Sequence, residues 1–174
     1  MLPPILAAVV LAFVSALIHA FGLLALLYWQ TRQWPRIEAD FRPRRNLAVF
    51  LILFGVIVGL HLVEIGVWAG VYWWQNCLPD FETSLYFSGA SYTTLGYGDV
   101  VLSRPWRLVG ALESLSGVLL MGWSAAFFFT VISRFFDTRI RRWLQKADWV
   151  NREPAATKNG KAHEPKQNQG QPEV

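Results

Sequence analysis

Charge is scarce in this chain and cysteine almost absent. Asp, Glu, Lys and Arg make up 16% of its 174 residues, well below the roughly 25% of soluble domains, so there is too little polar surface for an ordinary water-exposed globule. The single cysteine, Cys77, excludes an intrachain disulfide framework and a cysteine-built metal centre. No apolar run carries arginine at every third position, which excludes a voltage sensor. No internal repeat is visible, and no dinucleotide-binding or cyclic-nucleotide-binding module is expected after the last apolar run. The net charge of +4 is no nucleic-acid signature, because the basic residues flank apolar segments instead of sharing a soluble face.

What fills the chain is apolar. Hydrophobic residues reach 53%, with nine Trp and a mean hydropathy of +0.30, which places the chain in the membrane class. Three runs, at about residues 5–28, 47–73 and 108–136, meet the need for roughly 20 apolar residues to cross about 30 Å of hydrocarbon. A cleaved signal peptide is the competing reading of the first run. Met1-Leu2-Pro3-Pro4 lacks a positive n-region, and the run is too long for an h-region. Residues 81–93 are too few and too polar to cross, and read as a re-entrant helix.

Basic residues set the expected orientation. Arg32, Arg36, Arg42, Arg44 and Arg45 lie between the first two runs, and Arg134, Arg139, Arg141, Arg142 and Lys146 follow the third. Both groups belong on the cytoplasmic side by the positive-inside rule, which puts the N-terminus outside and the C-terminus in the cytoplasm. Trp68, Tyr72, Trp73, Trp74 and Trp106 suit an outer aromatic belt, and Tyr28, Trp29, Trp34 and Trp143 an inner one. From residue 151 the chain is polar and expected to be disordered.

Thr93-Thr94-Leu95-Gly96-Tyr97-Gly98-Asp99 stands between the second and third runs. Non-helical backbone at membrane depth is tolerated where protein buries it or where it lines a water-filled cavity. Gly96 and Gly98 accept backbone angles other residues resist. With alternating dihedrals, successive carbonyls face one axis and can replace a cation's water.

Thr94-Leu95-Gly96-Tyr97-Gly98-Asp99 resembles the selectivity filter of potassium channels, usually Thr-Val-Gly-Tyr-Gly-Asp. Leu85-Tyr86-Phe87-Ser88-Gly89-Ala90-Ser91-Tyr92 is similar to that family's pore helix. The resemblance covers roughly residues 81–133. It implies an all-α membrane protein with a pore helix at 81–93, a filter at 94–99, an outer helix at 47–74 and an inner helix at 108–136, together the pore domain 47–136. Around it stand an additional span at 1–30, a basic cytoplasmic loop at 31–46, a basic amphipathic segment at 137–150 and a tail at 151–174. It implies K⁺ ligands from the Thr94 hydroxyl and the carbonyls of Thr94, Leu95, Gly96 and Tyr97, with Gly98 at the outer mouth. Tyr97 is expected to brace against Tyr86 and Phe87. Leu95 replaces the usual Val or Ile, a mild change, since that position offers its carbonyl. Ala90 stands where some members carry a carboxylate that pairs with the Asp after the filter, so Asp99 lacks that partner. One filter per chain implies a homotetramer with the pore on its axis. The pore-helix C-terminus, near Thr93, adds the negative end of its dipole.

Several residues invite more than one reading. Glu113 lies in the third run, where a carboxylate is functional by default. It is expected to accept hydrogen bonds from Ser91, Tyr92 or Thr93 in place of the carboxylate missing at Ala90; the alternative is a protonated Glu bonded to a neighbouring helix. Gly122, Ala126, Thr130 and Ser133 share one helical face, read as cavity-lining or as close helix packing. Gly117 and Gly122 lie where the family often bends this helix as a gate. His61 and Glu64 share a face of the second run, with His19 as a third partner; they are a structural pair, a pH sensor or a metal half-site. Cys77 is an inert thiol or an inter-subunit disulfide. The segment from Arg134 to Lys146 anchors positive-inside or binds anionic lipid headgroups.

The sequence therefore points to a potassium-selective channel in the cell membrane, with no enzymatic activity, no cofactor beyond K⁺ as permeant ion and no nucleic-acid partner. The competing functions are a weakly selective cation channel, a non-conducting membrane sensor on a channel fold, and a membrane enzyme built on His61 and Glu64.

Overall fold

A computed structural model describes residues 3–39 and 43–160. Helix α1 spans Pro4–Ala39, α2 Pro43–Trp74, α3 Phe81–Tyr92 and α4 Arg107–Gly160, the last preceded by a 3₁₀ turn at Arg104–Trp106. Three stretches, Pro4–Gln33, Arg44–Trp74 and Arg104–Gln145, are long and apolar enough to cross a membrane. Their outer faces expose Phe13, Phe21, Leu24, Leu51, Phe54 and Leu62, as lipid-facing or neighbour-facing helices do.

The basic stretch 31–46 departs from the expected loop. α1 carries it helically to Ala39 and α2 resumes at Pro43, while residues 40–42 lie outside the described residues. Proline at the first position of both helices costs no hydrogen bond there and presets φ. The tail also departs from expectation. α4 continues to Gly160, whereas disorder was expected from residue 151; the remainder of that stretch, 161–174, lies outside the described residues. Propagation adds one hydrogen bond per residue once a helix exists, so α4 extends through a polar segment without a core to bury.

The chain divides after Phe129 into two compact units. In the first, α2 ends where Asn76 takes a positive φ of 51° and the Cys77 N–H donates to the Tyr72 carbonyl at 2.9 Å. Asparagine tolerates that left-handed cap better than most residues. Asp80 then caps α3, its Oδ1 accepting from the Thr83 N–H at 2.7 Å and its Oδ2 from the Thr83 hydroxyl at 2.9 Å. The Thr83 N–H holds the Asp80 carboxyl below its ordinary range. With 12 residues, α3 is about 18 Å long, too short to cross a bilayer.

α1 packs on α2 and also touches the 3₁₀ turn, so it is more than a peripheral addition to the second span. Ala7, Ala8 and Leu11 of α1 join Trp68 and Tyr72 of α2, Leu78, Leu102, Trp106 and Val109 in one buried core. Small residues on α1 let the helices approach, and the Trp68 indole N–H donates to Ser15 Oγ at 3.1 Å. Gly22 marks another close approach: a Cβ there would meet Leu60 Cδ2 at 2.4 Å. Gly22→Val is expected to lower the thermal midpoint of the detergent-solubilised protein, whereas Gly55→Val, at a position with open space, leaves it nearly unchanged. Circular dichroism melts check the pair, and equal melts would remove the packing role.

Candidate functional site

The segment after α3 begins with a tight cap. The Thr93 N–H and hydroxyl both donate to the Gly89 carbonyl, at 3.1 and 2.7 Å. The Thr94 N–H then donates to the Ser91 carbonyl at 2.9 Å, and the Leu95 and Gly96 N–H groups both donate to the Ala90 carbonyl, at 2.9 and 3.1 Å. These bonds turn the chain back on itself beneath α3.

Beyond the cap the backbone alternates. Thr94, Gly96 and Gly98 have φ of +59°, +50° and +82°, whereas Leu95 and Tyr97 between them are not in the positive region. A backbone of alternating hands can turn successive carbonyls to one side of the chain. Glycine takes such angles freely. Thr94 is β-branched, and holding it there costs about 1–3 kcal/mol, a strain that clusters at functional sites. Thr93 to Asp99 are all exposed on the single chain, Leu95 at 56% and Tyr97 at 68%.

The supports of this segment differ from those expected. Tyr97 is exposed on the single chain, while Tyr86 and Phe87 make other contacts. The Tyr86 hydroxyl instead donates to Asp99 Oδ2 at 2.7 Å, and the Phe87 ring meets Tyr72 edge-on at 5.3 Å between centroids. Tyr86 thus supplies Asp99 with the partner that Ala90 cannot, and its hydroxyl holds the Asp99 carboxyl below its ordinary range.

Glu113 is fully buried, but its donors are the Tyr72 hydroxyl, at 2.8 Å, and the Ser88 hydroxyl, not Ser91, Tyr92 or Thr93. The reason is helical phase. Ser84, Ser88 and Tyr92 repeat at intervals of four and form the buried face of α3. Ser91 lies off that face, and its carbonyl accepts from Ser114 Oγ at 2.6 Å. Ser88, Tyr72 and Ser114 escaped the sequence reading; the four-residue spacing of Ser84, Ser88 and Tyr92 was the signal available.

The structure brings His61, Glu64 and His19 together and adds Tyr92 and Ser124. His19 Nδ1 lies 2.8 Å from Glu64 Oε1, and His61 Nδ1 lies 3.3 Å from Glu64 Oε2 and 2.9 Å from the Tyr92 hydroxyl. That hydroxyl donates to Glu64 Oε2. Both Nε2 atoms meet Ser124 Oγ, at 3.0 Å from His19 and 3.2 Å from His61. Side chains from α1, α2, α3 and α4 thereby meet at the C-terminal end of α3, next to the alternating backbone.

The two glycines of α4 are not equivalent. A Cβ on Gly117 would lie 2.2 Å from the Tyr92 carbonyl oxygen, so this glycine is a close-packing position against α3, whereas Gly122 faces open space. Gly122 and Ala126 are exposed in the first unit, and Thr130 is exposed in the second. Cys77 is a free, half-buried thiol packed beside the core, and burial pushes its pKa up. Arg134, Arg139 and Arg141 are exposed along α4, and the Lys146 side chain lies outside the described residues.

Gly117→Ala is expected to destabilise the protein by about 1–3 kcal/mol, because the obstructing atom is backbone, while Gly122→Ala has little effect. Denaturation in mixed micelles checks this, and equal losses would reject the close-packing role. Glu113→Leu strands the Tyr72 hydroxyl at a cost of about 1–3 kcal/mol, while Ser88 keeps the Ile65 carbonyl, at 2.9 Å, as its acceptor, and Glu113→Gln loses less. The same measurement, with Ser88→Ala in each background, reads the coupling; additive losses would exclude the contact.

Comparison with known proteins agrees with this geometry. Residues 60–134 match a family model described as an ion channel. No match was found among curated proteins or among solved structures. The matched segment runs from the middle of α2 through α3 and the alternating backbone into α4. Over residues 60–134, then, this chain is similar to an ion-channel family; three of its described helices are long and apolar enough to cross a membrane, and α1 stands ahead of the matched segment.

Proposed function

We propose that the channel is potassium-selective and conducts as a homotetramer through a filter formed by Thr94, Leu95, Gly96, Tyr97 and Gly98. The observation that carries this reading is the alternation of positive φ at Thr94, Gly96 and Gly98, the backbone pattern by which consecutive carbonyls can face one axis. One strand offers one wall; four around an axis offer the rings that replace the hydration of a K⁺ ion. The exposure of Leu95 and Tyr97 on the single chain supports assembly, since fourfold packing would cover both side chains. Behind the filter, Tyr86 holds Asp99, Ser91 and Thr93 close the turn after α3, and Phe87 and Glu113 brace α3 itself against Tyr72. Gly122 and Ala126, exposed on α4 of the first unit, are the residues assigned to the cavity lining.

The filter faces outward in this reading. The arginine-rich stretches before α2 and along the second half of α4 lie in the cytoplasm, where anionic headgroups attract them by about 1 kcal/mol per basic residue. Transport is passive and involves no bond-making chemistry.

Purified protein in liposomes under opposed K⁺ and Na⁺ gradients tests the proposal. Potassium flux is expected to exceed sodium flux by at least about tenfold, and Gly96→Ala, which forces a side chain into positive φ, is expected to abolish it. Comparable sodium and potassium fluxes would replace selectivity with a weakly selective pore. Absence of flux from an intact tetramer would reject conduction.

A further inference from the structure

The cluster around Glu64 is short of one positive charge. Five side chains close a ring of five contacts: Glu64 to His19, His19 to Ser124, Ser124 to His61, His61 to Tyr92, and Tyr92 back to Glu64. Each contact needs one proton. A neutral imidazole brings one, a hydroxyl one, and an ionised carboxylate none. Four protons therefore serve the five contacts of this ring, and one contact opposes lone pair to lone pair unless a cation receives them.

The geometry shows which atoms face that cation. Both Nδ1 atoms point at one carboxylate, 2.8 Å from Oε1 and 3.3 Å from Oε2. Both Nε2 atoms point at one hydroxyl oxygen, Ser124 Oγ. If both rings carry their proton on Nε2, Ser124 Oγ accepts both N–H groups with its two lone pairs, and both Nδ1 lone pairs converge beside Glu64. Ligating histidines almost always hold their second N–H in such an outer bond, which fixes tautomer and ring orientation.

We propose that His19, His61 and Glu64 form a binding site for a divalent transition-metal ion of the zinc class, placed where the additional helix meets the pore domain. One ligand atom of each residue lies within 4.8 Å of the others. Two imidazoles and one carboxylate are a ligand set that Zn²⁺ takes at about 2.0–2.2 Å. K⁺, Mg²⁺ and Ca²⁺ prefer oxygen ligands throughout, so the pair of nitrogens selects against the permeant ion. Glu64 offsets part of the metal's charge, and the Tyr92 hydroxyl places a fourth donor atom beside it. His19 and Glu64 are fully buried, which shields the centre from solvent. A metal here cross-links α1 to α2 while Tyr92, the last residue of α3, touches the same centre.

The test uses full-length protein purified in detergent through a tag free of histidine. Titration with Zn²⁺ is expected to give one ion per chain. Co²⁺ in its place is expected to give the intense visible absorption of a tetrahedral nitrogen–oxygen site, read on the unmutated protein. His19→Ala or Glu64→Gln should weaken binding at least about a hundredfold, and Ser124→Ala about 10–100-fold through the loss of its outer bonds. Substoichiometric zinc and a spectrum of hydrated Co²⁺ would overturn the site, as would undiminished binding by the His19→Ala/Glu64→Gln double variant; a proton would then be what completes the ring. None of these readouts depends on conduction, so their failure leaves the liposome experiment to judge the channel on its own.

Discussion

Hydrocarbon offers no hydrogen bonds, and a polar group buried among membrane-length helices must find its partner within the protein. The position of α3 answers that constraint. It is too short to cross, so its C-terminal end and the irregular backbone after it would stand unsatisfied in hydrocarbon. Two buried carboxylates from the long helices reach it. Glu113 takes the Ser88 hydroxyl from one turn, and Glu64 takes the Tyr92 hydroxyl from the next. The polar stripe Ser84, Ser88 and Tyr92 faces these partners, while the opposite side of α3 turns Tyr86 toward Asp99. Ser88 also reaches the Ile65 carbonyl and Tyr92 also meets His61, so α3 is held to α2 by more than the carboxylates alone.

The alternating backbone inherits its geometry from this anchoring. Thr94 holds a dihedral that costs a β-branched residue dearly, and such strain survives only where surrounding structure over-determines it. Here Ala90 and Ser91 collect three backbone N–H groups just beyond α3, and Gly117 of α4 lets the Tyr92 carbonyl approach without a side chain between. A conduction path needs bare carbonyls in fixed register, and register is set by what lies behind them. The long helices thus contribute rigidity to the site without contributing ligands.

The additional helix is tied to that rigid frame. Ala7, Ala8 and Leu11 enter the core shared by α2 and the start of α4, and His19 enters the ring around Glu64. α1 is therefore continuous, through Tyr92, with the end of the re-entrant helix.

The three membrane-length helices, the short helix between the last two and the paired glycines after it were legible in the amino-acid order. Each depends on local composition: uninterrupted apolar runs, a short polar helix and paired glycines. His61 and Glu64 were legible as a pair because three residues apart on a helix means one face. Partners from different helices were not. Glu113 meets Tyr72 and Ser88, and Tyr86 meets Asp99, because of how the helices are rotated about their axes, which residue order does not encode. The same holds for Gly117, whose closeness to the Tyr92 carbonyl is a property of packing, and for Ser124, which becomes visible only once α1 and α2 present both imidazoles to it. Residue order alone determined what each segment is, since hydropathy and backbone freedom act within a few residues. Tertiary structure decided which polar groups satisfy one another, since in hydrocarbon that choice is made by whichever side chains the packing brings within 3 Å.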